Sequence, residues 1–270
     1  MLRYLEPAEF PNVDPPLEAM SVEGDFSPCE RVVAIVGSRN ALAASTEIAR
    51  SLATIVAHAG GVVVSGGANG VDAAAHTAAI DARGRTWAVL GCGEPYVTPT
   101  GQKLKDKERF TRILNSGGCL VRPFPHGTQA SRPLFLSRNR VTIALAHLVI
   151  VVQAAARSGS WSTAVKAREM GRDTWIVPGF GEAFGGSWDL IDSGAHMMRS
   201  PQELESWFRK NRSFDGDAQL VLNVLGSRLK HTDEIAMETG LSTPAVATAL
   251  LTLALGDVVV EGSAGMFQRK

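Results

Sequence analysis

From Arg31 onward, short apolar runs broken by glycine alternate with stretches whose apolar positions recur at helical spacing. The runs are VVAIVGS, GVVVSGG, TWAVLGCG, CLVRPF, HLVIVVQA and DTWIVPG. They are β-branched and almost uninterrupted by polar residues, so each predicts a strand buried on both faces. The first leads into a helical stretch reaching about Ala59, the second into a helix near Val71–Ala82. Six such strands with helices between them predict a doubly wound α/β domain over 31–212, built on a mostly parallel sheet.

The two ends follow other patterns. Residues 1–30 are rich in proline and acids, with a Pro15-Pro16 pair, and read as an extended arm. Beyond residue 213, AQLVLNVLGS, TDEIAMETGL and TPAVATALLTLALGD predict three short helices, and VVVEGSAGMFQRK predicts a hairpin. Three helices and a hairpin make a small winged-helix-like domain over 213–270. A chain of 270 residues accommodates one large and one small domain. It has no stretch of eighteen apolar residues, so no membrane span is expected. The first twenty residues lack a basic start followed by an apolar run, so a signal peptide is not expected either. Cys29, Cys92 and Cys119 are few, odd in number and far apart; they fit a reducing cytoplasm rather than a disulfide framework or a zinc site.

Net charge is zero, yet it is unevenly spread: −6 over 1–30, +9 over 31–212 and −3 over 213–270. A basic middle segment is compatible with an anionic partner and equally with scattered, solvated cations.

In an open α/β sheet, ligands bind beyond the carboxyl ends of the strands. Three loops there are suited to anions. Gly37-Ser38-Arg39-Asn40 follows the first strand. Ser65–Asp72 follows the second, and its Gly66, Gly67, Asn69 and Gly70 let backbone N–H groups converge near a helix start. Arg157–Ala164 follows the fifth, with Ser158, Gly159 and Ser160 at another helix entrance. Neither the dinucleotide fingerprint nor the P-loop is present, so ordinary nucleotide-cofactor readings lose support and no cofactor is expected. Asp72 reads as a helix cap, and His76 as a structural histidine with no third metal ligand beside it. A fourth stretch, SRPLFLSRNR, crowds Arg132, Phe135, Arg138, Asn139 and Arg140 at the entrance of a helix starting near Leu134. Cations that follow phosphates and a ring that stacks on a base make a single-strand site. From this stretch alone the other reading is favoured, in which Phe135 packs in the core and the arginines are solvated or ion-paired.

Taken together, VGSRN, VVSGGANGVDAAAH, FLSRNRVTIALA, SGSWSTAVKAREMGRDTWIVPG and LIDSGA, in this order and spacing, closely resemble the DNA-processing protein A family (DprA, also called Smf) over about residues 31–200. The resemblance implies an extended Rossmann fold. It implies a cytoplasmic, homodimeric, non-enzymatic protein that binds and protects single-stranded DNA and loads the recombinase RecA in natural transformation. It also implies a DNA pocket that includes Gly37-Ser38-Arg39, Arg132, Phe135 and the Arg138-Asn139 pair, with arginines for phosphates and Phe135 for a base. This chain departs from the pattern in three places. Family members often carry a helical domain where this chain has the acidic arm. Val121-Arg122 stands where Ser-Glu is usual, and Gln153 where Glu is usual. The last two changes are expected to add positive charge near the crevice.

Two other functions compete. A phosphoribohydrolase-like enzyme would need a Pro-Gly-Gly-x-Gly-Thr element and a following glutamate, whereas SGSWSTA lacks that acid. A duplex-DNA regulator would use the winged helix, yet its predicted recognition helix, Thr243–Asp257, has no Lys, Arg, Asn or Gln to read bases.

Overall fold

The six apolar runs are six parallel strands: β3 (Val32–Gly37), β4 (Val62–Gly66), β5 (Arg85–Val89), β6 (Cys119–Arg122), β7 (Leu148–Val152) and β8 (Asp173–Val177). A two-residue strand, β9 (His196–Met197), pairs parallel with β8. The arm supplies two more, β1 (Leu2–Leu5) and β2 (Met20–Gly24), which pair with each other and with β6 in antiparallel fashion. The nine strands are ordered β1-β2-β6-β5-β4-β3-β7-β8-β9. The computed structural model describes residues 2–5, 20–27, 29, 31–93, 107–210, 216–256, 258–262 and 265–270. The chain divides into two compact units, 1–204 and 205–270.

β3, β4 and β7 are buried almost throughout, as expected of strands covered on both faces. The covering helices are α1 (Ala43–His58), α2 (Val71–Asp81), α3 (Lys107–Asn115), α4 (Arg132–Leu145), α5 (Gly159–Glu169) and α6 (Gly185–Asp192). On one side, Ile143, Leu145, Val149, Val151 and Ile176 belong to the main apolar cluster; a second cluster gathers Leu90, Cys92, Phe110, Ile113 and Leu120.

From β3 the chain steps outward through β4, β5 and β6, then returns by α4 to lay β7 on the other side of β3. The strand order therefore reverses between β3 and β7, where loops on opposite sides of the sheet diverge and leave a crevice at its carboxyl edge.

Arg122 does not add charge to that crevice. It is buried in the β2–β6 pair, and its guanidinium donates to Glu23 at 2.6 Å. The positive charge expected from this departure is taken up by an acid of the arm, ninety-nine residues earlier in the chain.

α7 (Pro201–Lys210) carries the division between the units. The second unit contains α8 (Asp217–Val224), α9 (Thr232–Thr239), α10 (Thr243–Leu255) and a three-stranded sheet of β10 (Lys230–His231), β12 (Met266–Arg269) and β11 (Val259–Glu261). This is a winged helix with one short strand more than the hairpin expected. The turn from α9 to α10 uses Gly240 at φ 72° and Ser242, whose hydroxyl accepts the Ala245 N–H. Val221, Ile235, Val246, Leu250 and Leu253 form its core.

Candidate nucleic-acid interface

A cavity of about 640 Å³ opens at the carboxyl edge of the sheet, where β3 and β7 diverge. Its wall is drawn from the loops after β3, β4 and β7 and from the first turns of α4 and α5. Eleven of the fourteen residues singled out from the sequence line it: Gly37, Ser38, Arg39, Gly66, Arg132, Phe135, Arg138, Asn139, Ser158, Gly159 and Ser160.

The other three do not. Gly67 faces Leu90 and Phe110, and its carbonyl accepts from Arg109 at 3.0 Å. Asn69 is exposed outside the wall. Gly70, at φ 75°, lies directly against the carbonyl of Ser38, so only a residue without a side chain lets the two loops meet there.

The arginines fall into two kinds. Arg39, Arg132 and Arg157 are exposed at the cavity, and among the described residues none has a carboxylate within salt-bridge distance. Arg132 opens α4, two residues earlier than expected, with Pro133 beside it and no side-chain cap from Ser131. A cation at a helix N-terminus opposes the helix dipole, and the uncapped N–H groups there remain available to an anion.

Arg138 differs: it is 5 % exposed, lies against Gly66 and donates to the Val89 carbonyl at 2.8 Å. Its charge faces Asp72, which also accepts the Ala68 N–H. Asp72 therefore does not cap α2; the N-cap is Gly70, and Asp72 is the buried counter-charge of Arg138. Burial raises the Asp72 pKa, and Arg138 acts against that rise.

Phe135 is partly buried. One part of the ring packs at Gly91, where any side chain would collide with it, and joins the cluster around Leu90 and Phe110. The Arg39 guanidinium lies over the ring, 5.0 Å from its centroid. Two residues ninety-six positions apart, assigned separately to phosphate and to base, thus form one stack.

Hydroxyls and amides of the rim are engaged in holding the wall. Ser158 caps α5 by accepting the Trp161 N–H at 3.2 Å. Asn139 donates to Thr163 at 2.8 Å and so joins α4 to α5. His76 is fully buried, with its ring nitrogens 2.7 Å from Thr86 Oγ1 and 2.8 Å from the Gly66 carbonyl. Burial draws its pKa down to about 3, so it is a neutral strut under the glycine loop.

Asn40, Leu136, Arg157, Ser162 and Thr163 also line the cavity. Arg157 carried a signal, since it opens the hydroxyl-rich loop after β7; its φ of 54°, rare outside glycine, is visible only in the fold. Among the described residues no group of three His, Cys, Asp or Glu side chains is placed to hold a metal ion, and no helix is long and apolar enough to cross a membrane.

Residues 6–208 match the family model for DNA recombination-mediator protein A. The chain belongs to that family, DprA. Residues 200–265 match the DprA winged helix domain. A relative from Mycobacterium tuberculosis is 33 % identical over 245 residues, which cover 87 % of this chain and 62 % of the relative, so the chain spans less than two thirds of that protein's length. Protein Smf of Escherichia coli is 33 % identical over 259 residues, covering 88 % of this chain and 68 % of Smf. Among solved structures, DprA from Streptococcus pneumoniae superposes with a TM-score of 0.62 at 29 % identity, over 73 % of this chain and 68 % of that one. DprA from Helicobacter pylori, whose structure concerns its single-stranded DNA binding mode, superposes with a TM-score of 0.68 at 26 % identity. That match covers 78 % of this chain and 97 % of the other.

Proposed function

We propose that this DprA chain is a non-enzymatic single-stranded DNA-binding protein, with the cavity between β3 and β7 as its pocket. The observation that carries the reading is the set of three exposed arginines, Arg39, Arg132 and Arg157, without carboxylate partners among the described residues, around one partly exposed ring, Phe135. Arginines placed in this way follow a phosphate backbone, and the ring or the guanidinium above it offers a face to a base. The H. pylori relative, described by its single-stranded DNA binding mode, supports the same reading. Protection of DNA, homodimerisation and delivery of the strand to RecA in transformation are the further roles implied by family membership.

The hydrolase alternative finds little support in the cavity. Among the described residues the acid in its lining is Asp72, which is 6 % exposed and already engaged with Arg138 and the Ala68 N–H.

The test is a salt titration of binding to an unstructured oligonucleotide. Each phosphate contact adds about 0.7 to the slope of log affinity against log salt. Arg39→Ala and Arg132→Ala should each weaken binding and flatten the slope by about that amount. If both variants bind with unchanged affinity and slope, the pocket lies elsewhere.

A further inference from the structure

The loop that carries Arg39, residues 38–42, is bonded at both ends and in its middle by one residue of another element, Gln153, while the Val71 N–H adds a bond to the Ser38 carbonyl at 3.2 Å. Ser38 N–H donates to the Gln153 carbonyl at 3.1 Å, and Leu42 N–H donates to Gln153 Oε1 at 2.9 Å. The third contact runs the other way: Gln153 Nε2 donates to the Asn40 carbonyl at 3.4 Å. These partners dictate the orientation of the amide, because a backbone N–H needs an acceptor and a carbonyl needs a donor. Leu42 is the N-cap of α1 and has no side-chain cap of its own. Gln153 holds the Leu42 N–H as the glutamine of a capping box would, but from a neighbouring loop.

Two further observations mark this residue. Gln153 is 3 % exposed, and its φ is 62°, in the left-handed region that few residues other than glycine adopt. Such a backbone persists where its surroundings over-determine it. The charged side chains on the two loops that meet at Gln153 are Arg39 and Arg157, and Asp72 is the acid lining the same cavity.

We propose that Gln153 is a positioning residue of the single-strand site: its amide clamps residues 38–42 so that the Arg39 guanidinium is held over Phe135 at the cavity. The inference rests on the single-strand reading of that cavity. An arginine has many rotamers, and fixing its backbone and resting place before the ligand arrives lowers the cost of ordering it on binding. An aliphatic side chain of the same length fills the space but makes neither amide contact, and a carboxylate cannot donate to the Asn40 carbonyl.

The experiment is a double-mutant cycle in the full chain, read by affinity for an unstructured oligonucleotide. Gln153→Met, which has no charge to repel phosphates, should weaken binding by about tenfold, the equivalent of the two lost hydrogen bonds. In an Arg39→Ala background the same change should cost less than about twofold, because a residue acting through Arg39 has nothing left to position. Hydrogen exchange at the Leu42 amide should accelerate in Gln153→Met. Gln153→Gly, which adopts a positive φ without strain, guards against a folding defect and should weaken binding while the chain remains folded. Equal losses in both backgrounds, or full affinity with an unprotected Leu42 amide, would overturn the proposal. Failure of the parent chain to bind, or a silent Arg39→Ala, would be seen before any Gln153 variant is made. Either would remove the reading of the cavity itself and the clamp with it.

Discussion

At the scale of single residues, the cavity separates exposed side chains open to a ligand from those that hold its wall. The Arg138-Asn139 pair reads in the sequence as part of the DNA contact, but its environment is that of a strut. Truncating Arg138 leaves Asp72 buried without its counter-charge, a situation that typically costs about 3–5 kcal/mol. Arg138→Ala should therefore lower the melting temperature sharply and leave the salt slope of the folded fraction unchanged, the reverse of Arg39→Ala. Phe135 stands between the two classes. Phe135→Ala should cost about 1–3 kcal/mol in binding at nearly constant salt slope. Its effect on stability should fall short of the roughly 3–5 kcal/mol of a fully buried ring, because the side under Arg39 is not core. Calorimetric melting and oligonucleotide affinity, measured on the same preparation, check both. His76 sets a pH dependence. An unfolded histidine ionises near 6.5, whereas the folded one resists protonation down to about pH 3. Below pH 6.5 the unfolded state therefore binds a proton that the folded state excludes, so stability is present above that value and falls as pH drops towards 3. His76→Gln should flatten this decline in melting temperature.

At the scale of elements, the winged helix has the fold of a DNA reader without its side chains. α10 exposes Leu251 and Leu255, at 61 % and 79 %, and carries no charge. Nearby cations are matched to acids: Arg228 to Glu234 and Lys230 to Glu238 at 2.6 Å. A recognition helix needs polar side chains at base edges, and an exposed apolar face suits contact with protein instead. Leu251→Glu in the full chain should leave affinity for duplex and for single strands unchanged in a titration at physiological salt. A helix lying in the major groove would lose much of its duplex affinity to a carboxylate there. The elements also show what the sequence made legible. Six strands and three ligand loops were readable because burial on both faces leaves an unbroken apolar run. β9 and β10 were not, since two residues have no periodicity. The arm's strands were hidden by composition: prolines and acids suggested an extended segment, and pairing with β1 and β6 makes a strand of Met20–Gly24. The Arg138–Asp72 pairing and the Gln153 clamp join residues 66 and more than 110 positions apart, which local pattern does not reach.

At the scale of the whole molecule, two pockets on one dimer would engage a strand long enough to reach both, and the second contact would then form at a high effective concentration. Light scattering at micromolar concentration should give twice the mass of the 28.7 kDa chain, and affinity should rise steeply once the oligonucleotide spans both sites. A monomer mass, with or without DNA, would remove that expectation. The +9 segment, as compatible with solvated cations as with an anionic partner, did not give the place of the charge. Arg122, Arg138 and Arg109 contribute to that charge from ion pairs and carbonyl contacts, and three exposed arginines concentrate it at one edge. The bond between Arg122 and Glu23 also has a consequence in time. Of the two partners of β2, β1 precedes it, and β6 is made roughly one hundred residues after it. At a synthesis rate of about 5–20 residues per second, Met20–Gly24 is out for roughly 5–20 s before β6 exists to receive it. Charged side chains and prolines are the means by which exposed strand edges are kept from pairing wrongly, and the arm is rich in both, a composition suited to the interval before β6 arrives.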